Sequence, residues 1–178
     1  MQSFTPSEIN AVSDALEVAE EVTANFYKFS GGQWKRFHYD IKTLLSLKGE
    51  EITNDAFALL NKGIRVIDEF ESITKKRDFY YICLQDHQIL KALNRDNYLG
   101  LFPLLVYILT HELVHVVRFC SYLQRFGLSS EEREKEERVV HATTFDILNG
   151  LPMNRLGYVL ESYKDHRLCS FGSCSNPN

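Results

Sequence analysis

The chain has 178 residues, 44% of them hydrophobic and 25% charged, with 9 Gly and 4 Pro. These proportions exclude disorder, collagen-like repetition and low complexity for most of its length, and one domain with a sizeable core is expected. The net charge of -4, from 20 Lys+Arg against 24 Asp+Glu, gives no electrostatic footprint for nucleic acid, so no such partner is expected.

The N-terminal MQSFTPSEINAV lacks a basic segment followed by an apolar one, so no secretory signal is read there. Thr5-Pro6-Ser7-Glu8 carries the cap, first-position proline and third-position glutamate of a helix start. Behind it Ile9, Val12, Ala15, Leu16, Ala19, Val22 and Phe26 recur at three and four, which predicts an amphipathic helix over residues 5–28. Ser30-Gly31-Gly32 breaks the chain. Trp34, Phe37, Ile41, Leu44 and Leu45 predict a second helix up to Gly49. Asn54 with Ala56, Phe57, Leu59, Leu60 and Ile64 predicts a third. Residues 1–70 are therefore read as a helical lobe.

FYYICL, residues 79–84, is dense in aromatic and β-branched side chains and predicts a strand. Phe70–Thr74 is a candidate hairpin partner across the charged run Lys75-Lys76-Arg77-Asp78. Residues 101–124 read as a helix. Its most apolar part, LFPLLVYILT, is too short to cross a bilayer and runs straight into His111 and Glu112, so no membrane partner is expected. Ser129 or Ser130 caps a helix from about 131 to 149 that Gly150-Leu151-Pro152 stops, and Asn154 to about Arg167 forms a last helical stretch. Residues 169–178 are read as a flexible tail. Of the 4 Cys, Cys83 and Cys120 lie in apolar surroundings, while Cys169 and Cys174 lie in the polar tail. They do not make a disulfide scaffold, and a reducing cytoplasm is expected.

His111-Glu112-Leu113-Val114-His115 is an HExxH sequence inside the predicted helix. Residues four apart share a helix face, so both imidazoles can reach one ion, and zinc accepts neutral imidazole in a tetrahedral set. Glu112 then stands beside the ion, placed to take a proton from a zinc-bound water as it attacks a carbonyl carbon. The next helix offers further ligands, since Glu134, Glu137 and His141 lie at spacings of three and four. Glu131, Glu132 and Glu136 are better read as a solvated helix N-terminus.

Ile108 to Val117 resembles the extended signature of the zincin metallopeptidases, and a following helix with a glutamate ligand is similar to the gluzincin branch, including its minimal single-domain members. The resemblance spans residues 78–150 and implies an α+β, predominantly helical zincin-like domain over residues 1–168. That domain has an active-site helix, a downstream ligand helix and a small sheet or hairpin. It implies a zinc-dependent hydrolase, a metallopeptidase acting on a peptide or protein substrate, with His111, His115 and Glu137 as ligands and Glu112 as general base. His141, which stands where many gluzincins place Asp, is implied as a residue orienting a ligand or as the alternative third ligand. No Gly-x-x-His continuation of the metzincin kind follows His115.

Tyr158, Tyr163 and His166 are candidate donors to a transition-state oxyanion. Residues 79–84 are a candidate edge strand for substrate pairing. Arg118 reads as a helix-surface salt bridge. His166, Cys169 and Cys174 form too small a cluster to predict a second metal site. The alternative to an enzyme is a zincin-scaffold protein with a structural or vestigial metal site that acts by binding a partner.

Overall fold

The computed structural model describes all residues except 31–33, 35–36, 68–74, 122–126, 164–168 and 172–178. Helix α1, Pro6–Tyr27, starts as its sequence dictates. Thr5 N donates to Glu8 Oε2 (2.7 Å) and Glu8 N donates to Thr5 Oγ1 (3.3 Å), a reciprocal cap that satisfies two otherwise orphaned donors. Its buried stripe is Val12, Ala15, Ala19 and Thr23. The two alanines let α1 lie close along the central helix α3, Leu101–Cys120, the most extensive helix–helix packing in the protein.

Two predicted helices are strands and turns instead. Residues Tyr39–Lys42 form β1, followed by 3-10 turns at Leu44–Ser46 and Gly49–Glu51. Ala58–Ile67 forms β2. The predicted helical lobe over residues 1–70 is thus one helix and half a sheet. The apolar set at 56–60 misleads because Ala58, Leu59 and Leu60 are all buried, so β2 is covered on both faces there. A short run buried on both faces has no period that separates strand from helix.

Strand β3, Lys75–Leu84, extends the predicted FYYICL strand toward the N-terminus. The charged run Lys75–Asp78 is strand and pairs antiparallel with Ile64–Ile67 of β2. The predicted partner Phe70–Thr74 lies outside the described residues. Strand β4, Cys169–Phe171, sits where a flexible tail was expected, and pairs parallel with Ala58–Leu60. The sheet order is β1-β3-β2-β4, with β1 parallel to β3. Because Tyr80–Cys83 of β3 pair with β1 on one side and β2 on the other, that stretch offers no open edge for the expected substrate pairing.

One sheet face, carrying Ala58, Leu60, Tyr80, Ile82 and Leu84, joins α1 and α3 in the core. The remaining helices are α2 (Asp86–Arg95), which the sequence reading missed, α4 (Ser130–Leu148) and α5 (Leu156–Tyr163). Asp86, fully buried at the start of α2, accepts from Phe4 N and Leu44 N, each at 3.0 Å. It pins the N-terminal segment and the first 3-10 turn to the helix, at the end where the helix dipole favours an anion. Asp86→Ala is expected to destabilise the protein by about 2–4 kcal/mol in denaturant titration, because two buried N–H groups lose their acceptor. A loss within about 0.5 kcal/mol would show that the pin does not matter.

Helix α3 alone among the described residues is long and apolar enough to cross a membrane. Of its most apolar window, 83% is buried inside the protein. It is the core around which the other helices and the sheet are arranged.

Candidate metal centre

The site forms where α3 and α4 lie side by side. Helix α3 is buried over residues 103–117, so His111, Glu112 and His115 all point into protein, each at 0% exposure. Helix α4 begins as predicted, with Ser129 Oγ accepting from Glu132 N (3.3 Å) and Glu132 Oε2 accepting from Ser129 N (2.9 Å). Its first turns are solvent-facing, and Glu131, Glu132 and Glu134 are exposed. Glu137 is the first of the acidic run to turn inward, at 8% exposure, and Val140, Thr144 and Leu148 continue its buried face. Glu136 instead grips Arg118 of α3 through both oxygens, with Arg118 Nη2 donating to Oε2 at 3.0 Å. This bidentate pair clamps α4 to α3 next to the site, so Glu136 is not the solvated residue the sequence suggested.

Three groups converge. His111 Nε2 and His115 Nε2 are 3.2 Å apart. Glu137 Oε2 is 3.4 Å from His111 Nε2, and Oε1 is 3.3 Å from His115 Nε2. Around a zinc ion with bonds near 2.0–2.1 Å, the edges of a tetrahedron are about 3.3–3.4 Å. The three spacings match these edges. Both Glu137 oxygens are buried without a hydrogen bond despite the imidazoles beside them, and His111 Nδ1 is likewise buried without a partner. Both Glu137 oxygens face the two imidazole nitrogens, and the three groups close on a common point. Their residue types, two imidazoles and a carboxylate, are those zinc takes. On both grounds these residues fit the ion.

The electrostatics agree. Burial, reinforced by the neighbouring His115, pushes the His111 imidazole down to about 4 against the opposing pull of Glu137, which keeps the ring neutral, the form a metal binds. For Glu137, burial alone would raise the carboxyl, but the two imidazoles outweigh it and hold the group well below the usual carboxylate range. In the metal-free protein this has a sign. Between the unfolded histidine value near 6.5 and the folded value of about 4, the unfolded chain carries a proton that folded His111 does not. Stability therefore falls as pH drops through that window. Chelator-treated protein is expected to melt at a lower temperature at about pH 5 than at about pH 7, and an unchanged midpoint would contradict this protonation state.

His141 lies one turn beyond Glu137 on α4, half-buried, its ring centroid 4.6 Å from that of His111. One ligand atom each from His111, Glu137 and His141 falls within 4.8 Å of the others. His141 makes no hydrogen bond to His111 Nδ1. Its Nδ1 instead faces the Tyr107 hydroxyl at 3.3 Å. Tyr107 was not singled out from sequence, where it reads as one more apolar residue of α3.

The other candidates scatter. Tyr158 is on the surface, donating to Asp96 Oδ2 at 2.7 Å. Tyr163 is buried at the end of α5, its ring packed edge-on to Phe57 and its carbonyl accepting from Tyr107. His166 and Cys174 lie outside the described residues, and Cys169 opens β4. Burial, with the Glu51 carboxylate adding to it, pushes the Cys83 thiol up to about 12, which leaves it unsuited to act as a nucleophile. No protein family, no curated protein and no solved structure matches this chain.

Proposed function

We propose that the protein is a zinc-dependent hydrolase, a metallopeptidase or an enzyme acting on a related amide, with His111, His115 and Glu137 as zinc ligands and Glu112 as general base. The observation that carries this reading is the trio of spacings at 3.2, 3.3 and 3.4 Å among buried donor atoms. Zinc when bound supplies a Lewis acid for a carbonyl oxygen and a more acidic water.

The residues of the chain supply the rest. His111 and His115, four apart on a helix with no freedom to swing into solvent, hold the ion rigidly. Glu137 brings one negative charge, which offsets part of the ion's charge in a buried place. Glu112, adjacent to His111 and equally buried, is the remaining carboxylate of the site. It takes the proton of the attacking water and returns it to the departing amine. The Arg118–Glu136 clamp holds α4 at the distance that keeps Glu137 in reach.

The burial of Glu112 also favours a second reading, a structural zinc on a protein that acts by binding a partner. Hydrolysis of a mixed peptide library by untagged, zinc-loaded protein decides between them. Cleavage abolished by chelator and restored by zinc supports the enzyme, and no cleavage by protein carrying one zinc supports the structural site.

A further inference from the structure

Strand β2 pairs with β3 along its whole length on one side. On its other side β4 covers Ala58–Leu60, and among the described residues nothing pairs with Asn61–Ile67 there. Two connections link the covered stretch to the metal centre. Cys83, the ladder partner of Leu59, is pushed up first by burial and also, among the nearby charges, by the Glu112 carboxylate. Phe57, next to Ala58, packs on the Tyr163 ring at 5.4 Å, and Tyr163 lies 6.3 Å from the Tyr107 ring. The Tyr107 oxygen is in turn 3.3 Å from His141 Nδ1, and the His141 ring is 4.6 Å from that of His111.

A sheet edge of this kind binds an extended peptide through main-chain groups, whatever its sequence. In this structure the edge is held by the chain itself. The hold is slight, because β4 has three residues and pairs in the parallel sense, which is the less stable per residue. A peptide laid antiparallel along Ala58–Ile67 can use the 10 residues of β2, so it can displace β4 by making the longer ladder.

We propose that extended peptide substrates pair with the β2 edge beginning at Ala58, and that β4 is a built-in competitor which occupies that place and holds the enzyme at low activity. The proposal rests on the reading of the protein as a zinc-dependent hydrolase and gives that site a form of regulation. Because β4 is tethered, it competes at a high effective concentration although its own ladder is short. Anything that draws β4 away from Ala58–Leu60 therefore activates the protein without touching the ligands of the ion.

In the whole zinc-loaded chain, Cys169→Pro together with Ser170→Pro unpairs β4. Neighbouring residues of a strand turn their N–H groups to opposite sides, so one of the two prolines must remove a donor from the ladder. For a fluorogenic peptide that the wild type cleaves, KM is expected to fall about 10-fold with kcat unchanged, as when a tethered competitor leaves. Ala58→Cys supplies the opposite lock. Position 58 is in register with the native Cys169, and paired strands lie about 4.8 Å apart, within disulfide reach. Oxidised glutathione is expected to abolish cleavage by this variant and not by the wild type, and dithiothreitol to restore it. Fluorescence anisotropy of the same peptide on metal-free protein reads binding without cleavage, which should tighten in the double-proline variant and vanish in the locked one. Unchanged KM and peptide affinity in the double-proline variant, failure of the 58–169 disulfide to form, or full peptide binding by the locked form would overturn the proposal. If the double-proline variant does not fold, the lock and its release decide alone. Cleavage that ignores β4 would overturn this proposal and leave the hydrolase standing, whereas no cleavage by any form carrying one zinc would overturn the hydrolase reading, and this proposal with it.

Discussion

Glu112→Gln is expected to keep zinc at one per chain while hydrolysis falls about 10²–10⁴-fold, the usual contribution of a positioned general base. The substitution preserves volume and one hydrogen-bonding oxygen but removes the capacity to accept a proton. Because Glu112 is fully buried beside His111, the amide has no solvent to retreat into and stays where the carboxylate was. Metal content and folding stability are therefore expected to change little, which separates holding the ion from using it. Equal activity in the two proteins would remove Glu112 from the mechanism.

His111→Ala is expected to have the largest effect on the ion itself. His111 is one of the three mutually close vertices, at 3.2 Å from His115 and 3.4 Å from Glu137. Without it two ligands remain of the converging three, and bound zinc should fall from about one per chain to near zero. The thermal consequence follows by mass action. Zinc at about 100–1,000 times its dissociation constant stabilises the wild type by about 2.7–4.1 kcal/mol, and the same zinc should leave the His111→Ala midpoint where it was. A mutant that still melts later with zinc would place the ion elsewhere.

The two helices that build the site were legible in sequence because their signals are local. The Ser129–Glu132 cap fixes the start of α4, and the uninterrupted apolar stretch of α3 identifies a core helix even before its neighbours are known. The HExxH spacing then forces His111 and His115 onto one face. Glu137 was legible for a related reason, since it stands where the acidic run of α4 first meets the buried positions Val140 and Thr144.

What was not legible depends on long-range pairing. Ala58–Leu60 has the composition of a buried helix segment and becomes a strand because β3 and β4 lie on either side of it. Helix α2 has no side-chain cap at Gln85 to announce it. Asp86, which ties it down, works through backbone groups 42 and 82 residues away. The Tyr107–His141 contact is set by the axial alignment of α3 and α4, and no spacing within either helix reveals it. Arg118 and Glu136 make the same point, since each reads as an ordinary surface charge until the helices are side by side.

The most direct test is an anomalous-scattering map from crystals of untagged protein, recorded on either side of the zinc absorption edge. The account predicts one strong zinc peak bonded to His111 Nε2, His115 Nε2 and a Glu137 carboxylate oxygen. No peak there in crystals grown with zinc, or a peak held by other residues, would contradict it.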